Sequence, residues 1–358
     1  MLKFIRGITK GPEIILADEF YKNIERKNTK TFENLYLKNV KSKEKEKHSA
    51  LKADRNILVR IIAAYEFDQK VDLAQILCNE MMHVPISLAE HNGYLKSGDK
   101  ALLQKRLLEN IDCPQYINLN RNSACLIIDG QALVSSIGKR NDCKTFGDLA
   151  DVFIKSVLQQ GMLYDRIDVV FDRYRLKSIK ENTRKRRTKD QKRIRKKIEH
   201  RAVPLPTIWS NLMACPENKA EYANFLSTQL KLKAPYEKEI VTSGGFMDEL
   251  EVWSSKDTTN TSQLSSTHEE ADTRMIIHAI NSNYKYIVVI SRDTDVLDIL
   301  ASLFHRTGST ELWMMAGTQS KPKYIPVHTV VNSIPQNSLN ALIAFHTLTG
   351  CDTTSFIA

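Results

Sequence analysis

The chain changes texture near Ser123. Before it, apolar residues recur three and four apart in LVRIIAAYEF and DLAQILCNEMM, and GDKALLQKRLLENI opens after Gly98 and Asp99, so residues 1–120 are predicted to be mainly helical. After it, short apolar runs end abruptly in acids: ACLIID, RIDVVFD and YKYIVVISRD. Each has the pattern of a strand buried on both faces. Helical patterns lie between or after them in FGDLADVFIKSVLQQGM, ENKAEYANFLSTQLKL, TRMIIHAI, DVLDILASLF and LNALIAFHTLT. Strands alternating with helices predict an α/β core with a mostly parallel sheet and helices on both faces. In such a core Asp129, Asp172 and Asp293 would project beyond the carboxyl ends of three strands, where ligands gather. No internal repeat is present.

Charge sharpens this picture. The chain of 358 residues carries a formal +10, and its distribution is uneven. Between Arg173 and Arg201 stand fifteen Lys/Arg and three acids, so the whole excess sits in that one segment. No run approaches the roughly 18 apolar residues of a membrane span, and MLKFIRGITKGPEIILADEF lacks the apolar stretch of a secretory signal. Six cysteines, at 78, 113, 125, 143, 215 and 351, form no C-x-x-C pair, which argues for a reducing compartment and against a disulfide framework or zinc knuckle. His268 and His278, with no cysteine or second histidine at ligand spacing, are expected to be surface or internally satisfied side chains.

The acids carry the candidate chemistry. Thr267-His268-Glu269-Glu270 reads as a capping box in which Glu270 reaches back to the Thr267 amide, with Asp272 in the first helical turn. Glu270 and Asp272 would diverge by about 200° on an ideal helix, so they converge only if the helix start points at the site. Asp293 and Asp295, two apart, share a face if the third strand continues through them. Asp352 follows Gly350, an expected C-cap. Singly, each acid has an adequate structural or solvated explanation. Gathered together they would repel, raise one another's pKa values and call for hard divalent ions: Mg²⁺ or Mn²⁺, two of them in a phosphodiesterase.

LIIDGQAL with Asp129, VVFDRYRLKS with Asp172, HEEADTRM with Glu270 and Asp272, SRDTDVL with Asp293 and Asp295, and LTGCDTTS with Asp352 together resemble the flap-endonuclease (XPG-like) branch of the PIN-like nuclease superfamily. The wording HEEADT, SRDTDVL and GCDTTS also resembles a set of uncharacterised animal proteins. The resemblance implies a PIN-like core over 121–358, with all seven acids as metal ligands, directly or through water, and Asp129 and Asp172 catalytic. It implies a basic arch-like insertion at about 173–265, in which Lys177 and Arg184 assist the scissile phosphate. Lys185, Arg186, Arg187, Lys192, Arg193 and Arg195 would join them in contacting nucleic acid. Two departures stand out. The nuclease start lies behind some 120 residues, and the chain ends at Ala358 before the downstream duplex-binding element, so a C-terminally truncated core is expected and flap specificity is not implied.

These features predict metal-dependent hydrolysis of nucleic acid, DNA favoured over RNA, with no membrane partner. The alternative is a non-catalytic nucleic-acid-binding or interaction module that keeps the fold. RKRRTKDQKRIRKK would also satisfy a nuclear-import signal, which favours the nucleus over the cytoplasm.

Overall fold

In ACLIID five consecutive residues are buried, and they form the middle strand of a sheet, β1 (Ala124–Asp129). This computed structural model describes residues 59–64, 66, 72, 100–118, 123–175, 193–318 and 321–350. Helix α1 (Lys100–Leu107) precedes β1, and α2 (Gly130–Ile137), α3 (Phe146–Gln160) and β2 (Arg166–Val170) follow. Next come α4 (Trp209–Met213), α5 (Pro216–Lys233), β3 (Glu239–Ser243), β4 (Val252–Ser254), α6 (Ala271–Asn281) and β5 (Tyr286–Ile290). The last elements are α7 (Thr294–Leu303), β6 (Glu311–Thr318), β7 (Lys321–Pro326), α8 (Val327–Ser333) and α9 (Gln336–Gly350). The sheet and its helices, with α9 as far as His346, belong to a unit of Lys100–Lys177 with Arg184–His346; the second unit is Met1–Asp99, Ser178–Thr183 and Thr347–Ala358.

The seven strands lie in the order β4-β3-β2-β1-β5-β6-β7. The inner five are parallel, and β4 and β7 close the two edges antiparallel. Pro322 and Pro326 sit on edge strand β7, where a missing N–H is tolerated. Side-chain alternation sends Ala124, Leu126 and Ile128 to one face, against Leu149, Phe153 and Val157 of α3 and Leu226 and Leu230 of α5. Cys125 and Ile127 face the other way, toward Met275 and Ala279 of α6 and Leu297 and Leu300 of α7. The parallel sheet with helices on both faces is therefore as the apolar runs predict.

The order fixes where a site can form. From β1 the chain moves through β2 to β3 on one side and then crosses to β5 and β6 on the other, making the gap between β1 and β5 a topological switch point. Helices on opposite sides of such a gap leave a crevice at the carboxyl ends of its strands. Ile128 pairs with Ile290 and Asp129 with Val170, so the ends of β1, β2 and β5 are level.

Four polar residues are sealed inside this layer. Arg166 grips Asp168 through two hydrogen bonds of 2.7 and 2.8 Å, Asp168 meets His278 Nδ1 at 2.6 Å, and His278 Nε2 meets Ser243 Oγ at 2.8 Å. His278 is a satisfied core side chain and His268 is exposed, the two states expected of them. The network ties α6 to β2 and β3, and so anchors the helix whose start carries Glu270 and Asp272.

The segment 173–265 differs from an arch-like insertion. Its second half supplies α4, α5 and two strands of the sheet, with β3 buried at all five positions. Only two of the five residues of EIVTS are aliphatic, so the apolar pattern conceals a central strand that is covered by α5 and held by β2. Lys177, Arg184, Lys185, Arg186, Arg187 and Lys192 lie outside the described residues, as does Asp352. Of the mainly helical stretch expected over 1–120, residues 59–64 and α1 are helical.

Candidate functional site

Asp129 ends β1 and caps α2, its Oδ1 accepting from the Ala132 amide at 2.9 Å. The next residue must be small: a Cβ on Gly130 would lie 2.6 Å from the Phe171 ring. That close approach lets the end of β2 pack on the β1–α2 turn and brings Asp172 toward Asp129. On the far side, Gly244 has φ +78° and its Cβ would stand 2.1 Å from the Phe171 carbonyl oxygen. Phe171 is thus held between two glycines, with its amide donating to Ser243 at 3.0 Å.

Asp172 is bound to the start of α6. Its Oδ1 accepts from the Ala271 amide at 2.8 Å, while the Arg173 amide donates to the Glu269 carbonyl at 2.7 Å. This replaces the capping box expected at Thr267. The helix begins at Ala271 with Glu270 as its N-cap residue, and Glu270 makes no side-chain cap bond. An acid 99 positions earlier in the chain satisfies the helix end instead. In consequence the start of α6 points at the strand ends, the condition for Glu270 and Asp272 to join Asp172.

Asp293 and Asp295 do not share the strand face expected of them, and Asp293 reaches the other acids by another route. The strand stops at Ile290, Asp293 caps α7 by accepting from the Asp295 amide at 3.1 Å, and Asp295 falls in the first helical turn. Ser291 accepts from the Asp293 amide at 3.2 Å and helps turn the chain there. Asp295 Oδ1 lies 2.9 Å from His346 Nε2.

The acids feel one another. Burial raises the Asp129 carboxyl to about 7, reinforced by the charges of Asp172 and Asp293 and opposed by the amides of Ala132 and Gln131. Asp272 is pushed up to about 8 by burial first, then by Asp293, Asp172, Glu270 and Asp129. Five of the seven predicted acids therefore share one negative field at the switch point. Asp295 is turned to His346, and the seventh is Asp352. Among the described residues no group of three or more His, Cys, Asp or Glu is set up to hold a metal ion. The donors present are all hard carboxylate oxygens, the class Mg²⁺ and Mn²⁺ select.

Three arginines, which the sequence does not single out by spacing, frame the site. Arg173 donates to the carbonyls of Gly244 at 3.2 Å, Met247 at 3.2 Å and Asp248 at 3.3 Å, and also to that of Phe246. Arg175 donates to the Thr267 carbonyl at 2.6 Å and pairs with Glu249. Arg274, almost wholly buried on α6, donates to His268 and Ser266 carbonyls at 2.7 and 2.8 Å. Burial, then the charges of Arg173 and Arg175, pull its guanidinium down to about 10 against the attraction of Asp172. These cations hold the loops at 244–248 and 266–268 beside the acids.

Of the predicted nucleic-acid contacts, Arg193 is exposed, whereas Arg195 donates to Asn218 Oδ1 at 2.7 Å and pairs with Glu221. Arg195 thereby pins the incoming chain to α5. Among the described residues no helix is long and apolar enough to cross a membrane. No protein-family model, curated protein or solved structure matches the chain.

Proposed function

We propose that the protein hydrolyses phosphodiester bonds of nucleic acid with the help of divalent metal, on a PIN-like nuclease fold resembling that of flap endonucleases. The observation that carries this is the gathering of Asp129, Asp172, Glu270, Asp272 and Asp293 at the switch point, where burial first and then their mutual charges raise Asp129 to about 7 and Asp272 to about 8. Repelling carboxylates at a strand-end crevice are a stability cost with no structural return beyond three helix caps, and a cation removes that cost.

The donor chemistry supports this reading, since every side chain concerned offers hard carboxylate oxygens. Asp129, Asp172, Glu270, Asp272 and Asp293 would hold Mg²⁺ or Mn²⁺, two ions in the leading reading, with Asp295 and Asp352 completing the set. Bound there, the metal would supply Lewis acidity at the scissile phosphate. The carboxylates would fix its position, the α6 and α7 starts aim them, and Arg173, Arg175 and the buried Arg274 tie down the flanking loops through their carbonyls. Lys177 and Arg184 would assist the phosphate, and Lys185, Arg186, Arg187, Lys192 and Arg193 would follow the backbone. Such contacts make binding steeply salt-dependent and leave it blind to base sequence. DNA is the favoured substrate over RNA, and the nucleus the favoured compartment.

A second reading has its own support: Asp129, Asp172 and Asp293 each already cap a helix, so a non-catalytic nucleic-acid-binding module could keep them for folding alone. One experiment separates the two. Labelled single-stranded, duplex and flapped DNA and RNA are incubated with the full chain and with Asp272→Asn, in Mg²⁺, Mn²⁺ or chelator. Metal-dependent cutting that the substitution reduces by 100-fold or more, on the order expected for loss of a metal-positioning carboxylate, supports the nuclease. Salt-sensitive binding with no cutting by either protein supports the module.

A further inference from the structure

We infer that His346, held by Asp298, is a positioning residue that sets the Asp295 carboxylate for the proposed metal centre; the inference rests on that metal reading. His346 lies on α9 with its Nε2 2.9 Å from Asp295 Oδ1 and its Nδ1 3.0 Å from Asp298 Oδ2. Both acids belong to α7, three residues apart, so one imidazole spans one turn of the neighbouring helix.

Asp298 is the informative member. It is 2% exposed and sits among Val296, Leu297, Leu300 and Ala301, the face by which α7 packs on the sheet. An acid at a core position is costly unless a hydrogen-bonded partner accompanies it, and an aliphatic side chain would serve the packing better. His346 is likewise 7% exposed and follows Leu339 and Leu342 at helical core spacing. Two ionisable groups have thus been placed where the fold asks for none. Their joint effect is outward, because the far ring nitrogen meets Asp295 in the first turn of α7, two residues after Asp293, the N-cap residue that is one of the gathered acids.

Proteins use such chains to fix the orientation of ligating side chains, and loss of an outer partner weakens metal binding roughly 10–100-fold. Here the ring claims Oδ1 of Asp295 and prevents rotation of the carboxylate about its own axis. Asp298 in turn prevents rotation of the ring.

The test reads Mn²⁺ binding by electron paramagnetic resonance on the full chain, with folding checked by circular dichroism. His346→Ala and Asp298→Asn are each expected to weaken Mn²⁺ binding about 10-fold or more. His346→Gln, whose amide can occupy the Nε2 position, is expected to restore most of it, and His346→Asn, which reaches only the Asp298 side, is not. A merely structural role would lower the unfolding midpoint of all four variants while leaving the affinity of the folded fraction unchanged, and that result overturns the inference. Asp298→Asn serves if His346→Ala does not fold. Absence of Mn²⁺ binding by the wild-type chain overturns the metal reading itself, whereas wild-type binding matched by every variant overturns only the role of His346.

Discussion

The Asp172 carboxylate caps a helix it does not belong to, accepting from the Ala271 amide at 2.8 Å across 99 residues of sequence. One hydrogen bond thereby joins the end of β2 to the start of α6 and gives a site acid a structural task. Asp172→Ala removes both the cap and the charge, whereas Asp172→Asn keeps an acceptor oxygen and removes the charge alone. The alanine variant is expected to be less stable than the asparagine variant by about 1 kcal/mol, the usual worth of a cap. Urea denaturation in chelator checks this; equal midpoints would show that the bond contributes nothing.

The pH dependence of stability has a definite sign. An aspartate in the unfolded chain titrates near about 4, while Asp129 and Asp272 in the fold titrate at about 7 and about 8. Between those values the folded chain binds more protons than the unfolded one, so stability falls as pH rises and levels off above the higher folded value. Asp148, held down by the Thr145 and Lys144 amides, acts in the opposite direction but only at lower pH. Denaturation in chelator from pH 5 to 8 is expected to show a loss on the order of a few kcal/mol, less than two independent groups would give because their neighbours are shared. Asp272→Asn should flatten the profile; stability that rises across this range would refute the assigned field.

Removing Asp168 should be the most damaging change in the core. Its carboxyl is held low because the Arg166 charge and the His278 bond outweigh the effect of burial. Asp168→Ala leaves a buried guanidinium without its partner and is expected to cost about 3–5 kcal/mol, whereas Ser243→Ala, which removes only the terminal hydroxyl, is expected to cost about 1 kcal/mol. Equilibrium unfolding of the two variants gives the ranking directly.

Gly244→Ala tests the approach that positions Asp172. The substitution meets both a left-handed φ of +78° and a carbonyl at 2.1 Å, so backbone must move. A loss of at least about 1–2 kcal/mol is expected from the conformation alone. Since the carbonyl belongs to Phe171, Mn²⁺ affinity should fall with stability. A variant that unfolds earlier yet binds Mn²⁺ normally would separate the turn from the site.

Much of this was legible in the sequence, and the exceptions have physical causes. The runs before Asp129, Asp172 and Asp293 are apolar because strands covered on both faces must be, and so β1, β2 and β5 are recognisable. EIVTS and KPKYIP carry polar residues or prolines, so β3 and β7 are specified by their neighbours more than by their own pattern. Local rules also misplaced two details. The capping box at Thr267 lost to Asp172, a partner that spacing cannot reveal, and the strand through Asp293 lost to the N-cap geometry that Asp293 itself supplies. His346 and Asp298 did leave a signal, polar side chains at apolar helical spacing, but their pairing needed α7 and α9 in contact.

The central claim is that the strand-end acids form a divalent-cation site, and anomalous diffraction from crystals equilibrated with Mn²⁺ tests it most directly. The account predicts anomalous density among Asp129, Asp172, Glu270, Asp272 and Asp293, lost in Asp293→Ala. Crystals saturated with Mn²⁺ that show no density there, with Asp129, Asp172 and Asp293 still capping their helices, would contradict it.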